Sequence, residues 1–311
     1  MLVLNTLSFN SEMMILLKKT TALRKLMEEE MTILAPGAYD AMTAKLVEVA
    51  GFKMIGTTGA GIAGSLLAAP DVGMLTRSQS VMIHRNMAAA TTIPIIADAD
   101  TGYGNAVGVM RTVQEFECAG VAGIIIEDQT EPKRCGLLAG KEVTSVEEMV
   151  GKIKAAREAR DDPDFVIVAR TDSASVHGVD EAIKRANEYV TAGADLVKTG
   201  EGVGRPRKEV ERFVRSVKAP IHMGAGPNVG EISISDLEMM GHKMIISMPV
   251  FCYGVAFAAV KEALLEVKTK KCYTEKIGQL TEIYNTFGYE EYTQLEETYL
   301  PKTTVAQKYK R

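Results

Sequence analysis

Cysteine and histidine are scarce in this chain, four of each in 311 residues. Cys118, Cys135, Cys252 and Cys272 form no C-x-x-C pair, and no histidine stands at zinc-finger spacing from them. That excludes the usual disulfide framework and structural zinc site, and it points to a reducing compartment, the cytoplasm. His84, His177, His222 and His242 show no pairing that marks a site; His222, on a strand-like run, is the one to watch. No apolar stretch reaches the roughly 20 residues of a membrane span. No long basic run precedes the short Lys/Arg-rich end at 302–311, and the net charge is −4. Neither a nucleic-acid partner nor a membrane partner is expected. Residues 1–12 lack the cationic start and small-residue cleavage site of a signal peptide and read as an upstream extension.

The chain is 46% hydrophobic and 24% charged, enough for one large core or two small ones. Its organising stretch is 94–136. Two short apolar runs there end abruptly in carboxylates, Asp98 and Asp100 on the first and Glu127 on the second. Such runs read as buried parallel strands. Alternation along a strand places Asp98 and Asp100 on one face and turns Asp128 away from Glu127. Acids gathered at adjacent strand ends repel one another unless a cation sits among them, and hard oxygen donors suit Mg²⁺ or Mn²⁺. Each acid alone could equally be an ordinary strand-end residue. Cys135 follows on a loop with Lys133, Arg134, Gly136 and Gly140. The segment 127–144 is long for a compact domain, as active-site lids are.

Around this stretch helices and strands alternate. A helix is expected over 20–30 and a strand over 33–38, and Asp40 caps a helix ended by Gly51. A strand over 53–57 runs into the glycine-rich 58–64. That segment lacks the spacing of a dinucleotide fingerprint and reads as a tight connection or a backbone cradle for an anion. Ser145 and Glu148 have capping-box spacing. Further strands are expected at 165–169, 196–198, 220–223 and 244–247, and a long apolar helix at 251–268, then another helix at 274–287. Eight βα beats favour a closed (β/α)₈ TIM-type barrel over an open doubly wound sheet. The division expected is an N-terminal extension (1–19), a barrel domain (20–272) and a C-terminal helical extension with a charged tail (273–311). Barrel active sites lie at the C-terminal strand ends, where Asp98, Asp100, Glu127 and Arg170 fall.

The motifs Asp98-Ala99-Asp100-Thr101-Gly102-Tyr103-Gly104, Glu127-Asp128-Gln129, Lys133-Arg134-Cys135-Gly136 and Val168-Ala169-Arg170-Thr171-Asp172 resemble the isocitrate lyase/phosphoenolpyruvate mutase superfamily. The resemblance runs from about residue 36 to 299, and the Lys-Arg-Cys-Gly loop points to its carbon–carbon lyase branch. It implies a barrel whose last helix is exchanged with a neighbouring subunit in a homotetramer. It also implies Mg²⁺, held directly at the position of Asp100 and largely through water at those of Asp98 and Glu127. Asp71 matches an acid near the metal. Thr58, Gly59 and Ala60 match the loop that binds a 2-oxo-acid carboxylate, and Arg170 an arginine that reaches the substrate. Cys135 matches an acid/base thiol on a gating loop, whose Lys133 and Gly136 are expected beside the substrate; Lys133 and Arg134 would favour the thiolate.

The implied activity is cleavage of a methylisocitrate- or dimethylmalate-like 2-hydroxy acid to a 2-oxo acid such as pyruvate and a second carboxylate. The alternatives on this scaffold are oxaloacetate decarboxylation, phosphonate chemistry, or an oxo-acid-binding protein without turnover. The chain departs from the lyase pattern at Gly56, where a Tyr is usual, at Leu137 for a His, and at Met223-Gly224 for an Asn. These positions leave the substrate, and the base that takes the hydroxyl proton, open. Glu201 is the acid expected after strand six.

Overall fold

A computed structural model describes residues 17–200, 206–226, 232–272 and 277–302. Glu201, the extension over 1–12 and the end of the charged tail lie outside the described residues. In chain order the elements are α1 (Lys19–Glu29), β1 (Thr32–Ala38), α2 (Ala41–Val49), β2 (Ile55–Thr57), α3 (Gly59–Leu67), α4 (Arg77–Ala90), β3 (Ile95–Asp98), α5 (Ala106–Cys118), β4 (Gly123–Glu127), α6 (Val146–Ala159) and β5 (Val166–Thr171). They continue with α7 (Ser173–His177), α8 (Val179–Ala192), β6 (Leu196–Thr199), α9 (Arg207–Ser216), β7 (Ile221–Gly224), α10 (Ile234–Met239), β8 (Met244–Met248), α11 (Phe251–Lys270), α12 (Leu280–Thr286) and α13 (Tyr289–Tyr299). The eight strands are parallel and close into a barrel in sequence order, β1 pairing with β8 from Thr32↔Met244 to Pro36↔Met248. The expected (β/α)₈ barrel is therefore the fold.

Alternation along each strand divides the core in two. Residues such as Ile95, Ala97, Ile124, Ile126, Ile167 and Val197 face outward and pack beneath the helices. Ile33, Met54, Ile96, Ile125, Val168, Leu196 and Ile245 form a second cluster that fills the lower interior of the barrel. Leu23 of α1 belongs to that cluster, so α1 plugs the N-terminal end. Arg24 fastens it there through Asp195 at 2.8 Å.

Asp40 caps α2 in a reciprocal capping box with Thr43, as its position predicts. At α6 the box is half formed. Ser145 accepts from the Glu148 N–H, but the Glu148 carboxylate turns to the Thr144 hydroxyl. The glycine-rich segment is not a loop. Thr58 caps α3 and accepts from the Gly61 N–H, and the glycines are helical. At Gly64 an added Cβ would meet the hydroxyl end of the Tyr253 ring, so a larger residue there would have to displace Tyr253. The helix expected over 274–287 is confined among the described residues to α12, and α13 follows it. None of the residues of α11, α12 or α13 is buried. Tyr253 of α11 packs edge-on against Tyr39, but Phe257, Val260, Leu264 and Leu265 are exposed.

Candidate active site at the C-terminal mouth of the barrel

The upper interior is polar where the lower is apolar. Asp98, Glu127, Arg170 and Lys198 each stand one alternation step above Ile96, Ile125, Val168 and Leu196, and His222 lies beside Ile245 in register. Together with Thr58, Asp71, Cys135 and Leu137, most of these line one cleft, which reaches down to Ile125. The sequence-predicted residues are thus brought together, including Asp71 from the loop after α3 and Cys135 from the loop after β4.

Asp98 ends β3. Its N–H donates to Thr57 Oγ1 at 2.8 Å, and its Oδ2 accepts from the Gly59 N–H at 3.2 Å. Behind Thr57 lies His84, fully buried, with Nδ1 2.7 Å from the Ser80 carbonyl and Nε2 3.1 Å from Thr57 Oγ1. A carbonyl only accepts, so the proton is on Nδ1 and the Thr57 hydroxyl donates to Nε2. Burial pushes His84 down to about 4, so this histidine is neutral.

Asp100 reaches the mouth by a route that strand alternation does not predict. The strand stops at Asp98, and Asp100 has φ +48°, in the left-handed region. Its N–H donates to Asp98 Oδ1 at 3.2 Å, its carbonyl accepts from the Glu127 N–H at 2.8 Å, and Tyr103 donates to its carboxylate at 3.1 Å. Burial raises Asp100 to about 6, with Lys133 only partly offsetting it. Burial also raises Glu127 well above the usual carboxylate range, though Arg170 lies 3.2 Å away. At Asp98 burial is outweighed by Lys133, Arg170 and Lys198, and the group is held low.

Lys133 is drawn into the cluster rather than toward the thiol. Its ammonium lies 2.5 Å from Asp71 Oδ1 and 2.6 Å from Asp100 Oδ1. Arg134 is exposed and points to the Ala139 carbonyl. Burial therefore dominates at Cys135 and raises its thiol above the ordinary value, with Asp71 adding to it and Arg170 and Lys133 acting weakly against it. The expected lowering by Lys133 and Arg134 is not what the arrangement gives: the thiol is kept protonated, as an acid needs. The Cys135 N–H donates to the Asp71 carbonyl at 2.9 Å, which ties the loop to the segment after α3.

Two residues beside the site carry roles the motifs did not reveal. Asp172 binds Arg170 at both ends of its carboxylate, at 2.9 and 3.0 Å. Asp128 faces away from the cleft, as expected, but it is not idle. It accepts from Thr171 (2.7 Å), Tyr189 (2.8 Å), Arg185 (3.1 Å) and the Asp172 N–H (2.9 Å). A polar residue following a strand-end acid and opposite Tyr and Arg at i and i+4 of a helix could have signalled this. His222 is fully buried, with neither ring nitrogen bonded, and burial beside Lys198 and Arg170 pushes it well below its usual range.

The carboxylates fit a hard divalent cation by their chemistry. Buried Asp71, Asp100 and Glu127 and half-buried Asp98 face Lys133 and Arg170, Arg170 is itself shared with Asp172, and Glu127 Oε1 has no hydrogen-bond partner. They are not a finished cage: among the described residues no three His, Cys, Asp or Glu side chains already stand close enough to hold an ion. Lys133 stands between Asp71 and Asp100 instead.

A family model described as phosphoenolpyruvate phosphomutase matches residues 23–268. The chain belongs to the phosphoenolpyruvate mutase/isocitrate lyase superfamily. Superfamily relatives include 2,3-dimethylmalate lyase of Eubacterium barkeri, 39% identical over 89% of this chain and 96% of its own. A 2-methylisocitrate lyase of Aeropyrum pernix is 40% identical over 87% of both chains. Among solved superfamily structures, phosphonopyruvate hydrolase in complex with oxalate and Mg²⁺ has a TM-score of 0.84 and 31% identity, over 91% of this chain and all of that one. The relatives thus include both carbon–carbon lyases and a phosphonate enzyme.

Proposed function

We propose that this superfamily member is a Mg²⁺-dependent carbon–carbon lyase. Its substrate would be a 2-hydroxy di- or tricarboxylic acid of the dimethylmalate or methylisocitrate kind, and its products a 2-oxo acid and a second carboxylic acid. The observation that carries the reading is Cys135, protonated and facing the cleft opposite the carboxylate cluster and Arg170. A thiol acid placed there can give its proton to the carbanion that carbon–carbon cleavage leaves on the departing acid.

Asp100, Asp98 and Glu127 would hold Mg²⁺, which supplies positive charge to the oxygens of the 2-hydroxy-acid end. Thr58, Gly59 and Ala60, at the N-terminus of α3, would take that end's carboxylate. Arg170 would take the second carboxylate in a charge-assisted pair. As a carboxylate of the cluster takes the hydroxyl proton, the bond between the hydroxyl-bearing carbon and the carbon alpha to the second carboxylate breaks. Its electron pair stays on the alpha carbon, and the Cys135 thiol gives its proton to that carbon. Leu137 and Gly136 on the same loop exclude water from the carbanion.

The exposed apolar face of α11 supports a homotetramer in which that helix packs against another subunit. The four free cysteines fit a cytoplasmic setting. Among the described residues no helix is long and apolar enough to cross a membrane. The deciding experiment is a panel of 2-hydroxy and 2-oxo di- and tricarboxylates with Mg²⁺, including oxaloacetate and phosphonopyruvate, read by release of pyruvate, glyoxylate, oxalate or phosphate. Release of a 2-oxo acid from a substituted malate is expected. Turnover of oxaloacetate or phosphonopyruvate alone would instead select the alternative that the solved phosphonopyruvate hydrolase exemplifies.

A further inference from the structure

Gln129 joins the two halves of the site. It is buried, and its side chain makes three hydrogen bonds. Its amide nitrogen donates to Asp172 Oδ2 at 3.1 Å and to the Arg134 carbonyl at 2.8 Å, and its amide oxygen accepts from the Arg134 N–H at 2.9 Å. Gln129 therefore grips both backbone groups of the residue that precedes Cys135. A carboxylate accepts and cannot donate, so Asp172 dictates that the NH₂ end faces it and leaves the oxygen to meet the Arg134 N–H. Asp172 in turn holds Arg170 at two points. An unbroken chain of hydrogen bonds thus runs from the guanidinium, through Asp172 and Gln129, to the peptide beside the thiol.

The loop has other ties. Thr130 donates to the Glu142 carbonyl and Thr144 to the Asp128 carbonyl, which close its base without Gln129. Losing the Gln129 side chain would leave the loop's base closed and its tip held from the Asp71 side alone, by the Cys135 N–H and Lys133, while the peptide at Arg134 lost its anchor on the Arg170 side. We propose that Gln129 is a positioning residue that sets Cys135 against whatever is bound at Arg170, so that the acid is in place only when Arg170 and Asp172 are ordered. The proposal rests on the lyase reading for its catalytic meaning, but its mechanical part does not.

The test uses the full chain with Gln129→Met, which keeps the bulk and removes every bond. Gln129→Glu serves beside it: it keeps the acceptor for the Arg134 N–H but sets a carboxylate against Asp172. In wild type, pyruvate with Mg²⁺ is expected to slow alkylation of Cys135 by iodoacetamide, read by peptide mass spectrometry, and to slow tryptic cleavage after Arg134. In both variants the unliganded rates are expected to rise about tenfold, the effect of losing one or two net hydrogen bonds, and the ligand's protection is expected to vanish. With the hydroxy acid found by the panel, kcat is expected to fall about 10- to 100-fold from the displaced acid. In Gln129→Met, KM and calorimetric binding of pyruvate with Mg²⁺ should hold within about threefold, since Asp172 still grips Arg170 at two points and the α3 cradle is untouched. Unchanged alkylation and cleavage in folded variants overturns the proposal, as does a loss of pyruvate binding that parallels the loss of rate. Raised alkylation in a protein that cleaves no hydroxy acid leaves the positioning role standing and removes the lyase reading instead.

Discussion

The ammonium nitrogen of Lys133 lies 2.6 Å from Oδ1 of Asp100, with both side chains buried. It is also 2.5 Å from Asp71. A lysine so placed and a divalent cation draw on the same oxygens. Lys133→Met should therefore destabilise the protein in the absence of metal, because breaking a buried pair costs about 3–5 kcal/mol. Added Mg²⁺ should then stabilise the variant more than it stabilises wild type. Thermal unfolding of both proteins with and without Mg²⁺ measures this, and equal Mg²⁺ shifts would show that lysine and metal do not share ligands.

Asp100 and Asp128 should fail in different ways when neutralised. Asp100→Asn keeps the size and suits the left-handed backbone at φ +48°. It should abolish Mg²⁺-dependent turnover with a smaller loss of melting temperature than Lys133→Met, because Asp71 still pairs with Lys133. Asp128→Ala removes the acceptor of four bonds, leaving buried Tyr189 without its acceptor and Arg185 with only Glu181 and the Thr144 carbonyl. It should lower stability by about 3–5 kcal/mol, and its activity should return on cooling. Calorimetric scans beside assays at two temperatures separate the two; the same signature for both would refute the assignment.

Cys135→Ser should lower turnover by about 10²- to 10⁴-fold, the usual loss of a positioned general acid. A serine hydroxyl is close to the thiol in size and far less acidic, so the loop should still close. Titration of pyruvate with Mg²⁺ into both proteins should give affinities within a few-fold of one another. Turnover near the wild-type rate would move the thiol-free chemistries of the superfamily ahead.

His84 sets a lower pH limit on the fold. It is neutral in the native state with its pKa near 4, against about 6.5 in the unfolded chain. Between those values the unfolded state binds more protons, so stability rises with pH through the window and is lost as pH falls through it. The full effect is about 3 kcal/mol, present above pH 6.5 and gone below 4. Urea unfolding at pH 7.5 and 4.5 should show it, and His84→Gln should remove that part of the difference. An unchanged slope in the variant would mean that other groups carry it.

How far the residues could be read in advance differed from place to place. The barrel was legible because eight apolar runs separated by helical periodicity admit few topologies. Asp98 and Glu127 were legible because each ends such a run. Asp100 was found for a reason that does not hold: alternation put it beside Asp98, whereas the chain has left the strand and a left-handed turn carries it to the mouth. The segment at 58–64 was misread because three glycines in seven residues suggest a loop; the Thr58 cap and close packing against Tyr39 and Tyr253 hold it as helix. The partnerships of Lys133, Gln129 and Asp172 join residues distant in sequence or on opposite sides of a loop, and no local pattern encodes them.

The line that crosses the barrel between its dry lower layer and its wet upper one has an evolutionary consequence. Ile33, Met54, Ile96, Ile125, Val168, Leu196 and Ile245 fix the shape of the cylinder without touching the reacting atoms, Ile125 at the floor excepted. Residues a step or two higher on the same strands can therefore drift toward new acids while the scaffold's foldability is left alone. Gly224 and Leu137, which depart from the lyase pattern, sit at that upper level. A lineage can exchange one substrate for another there without first having to re-learn how to fold.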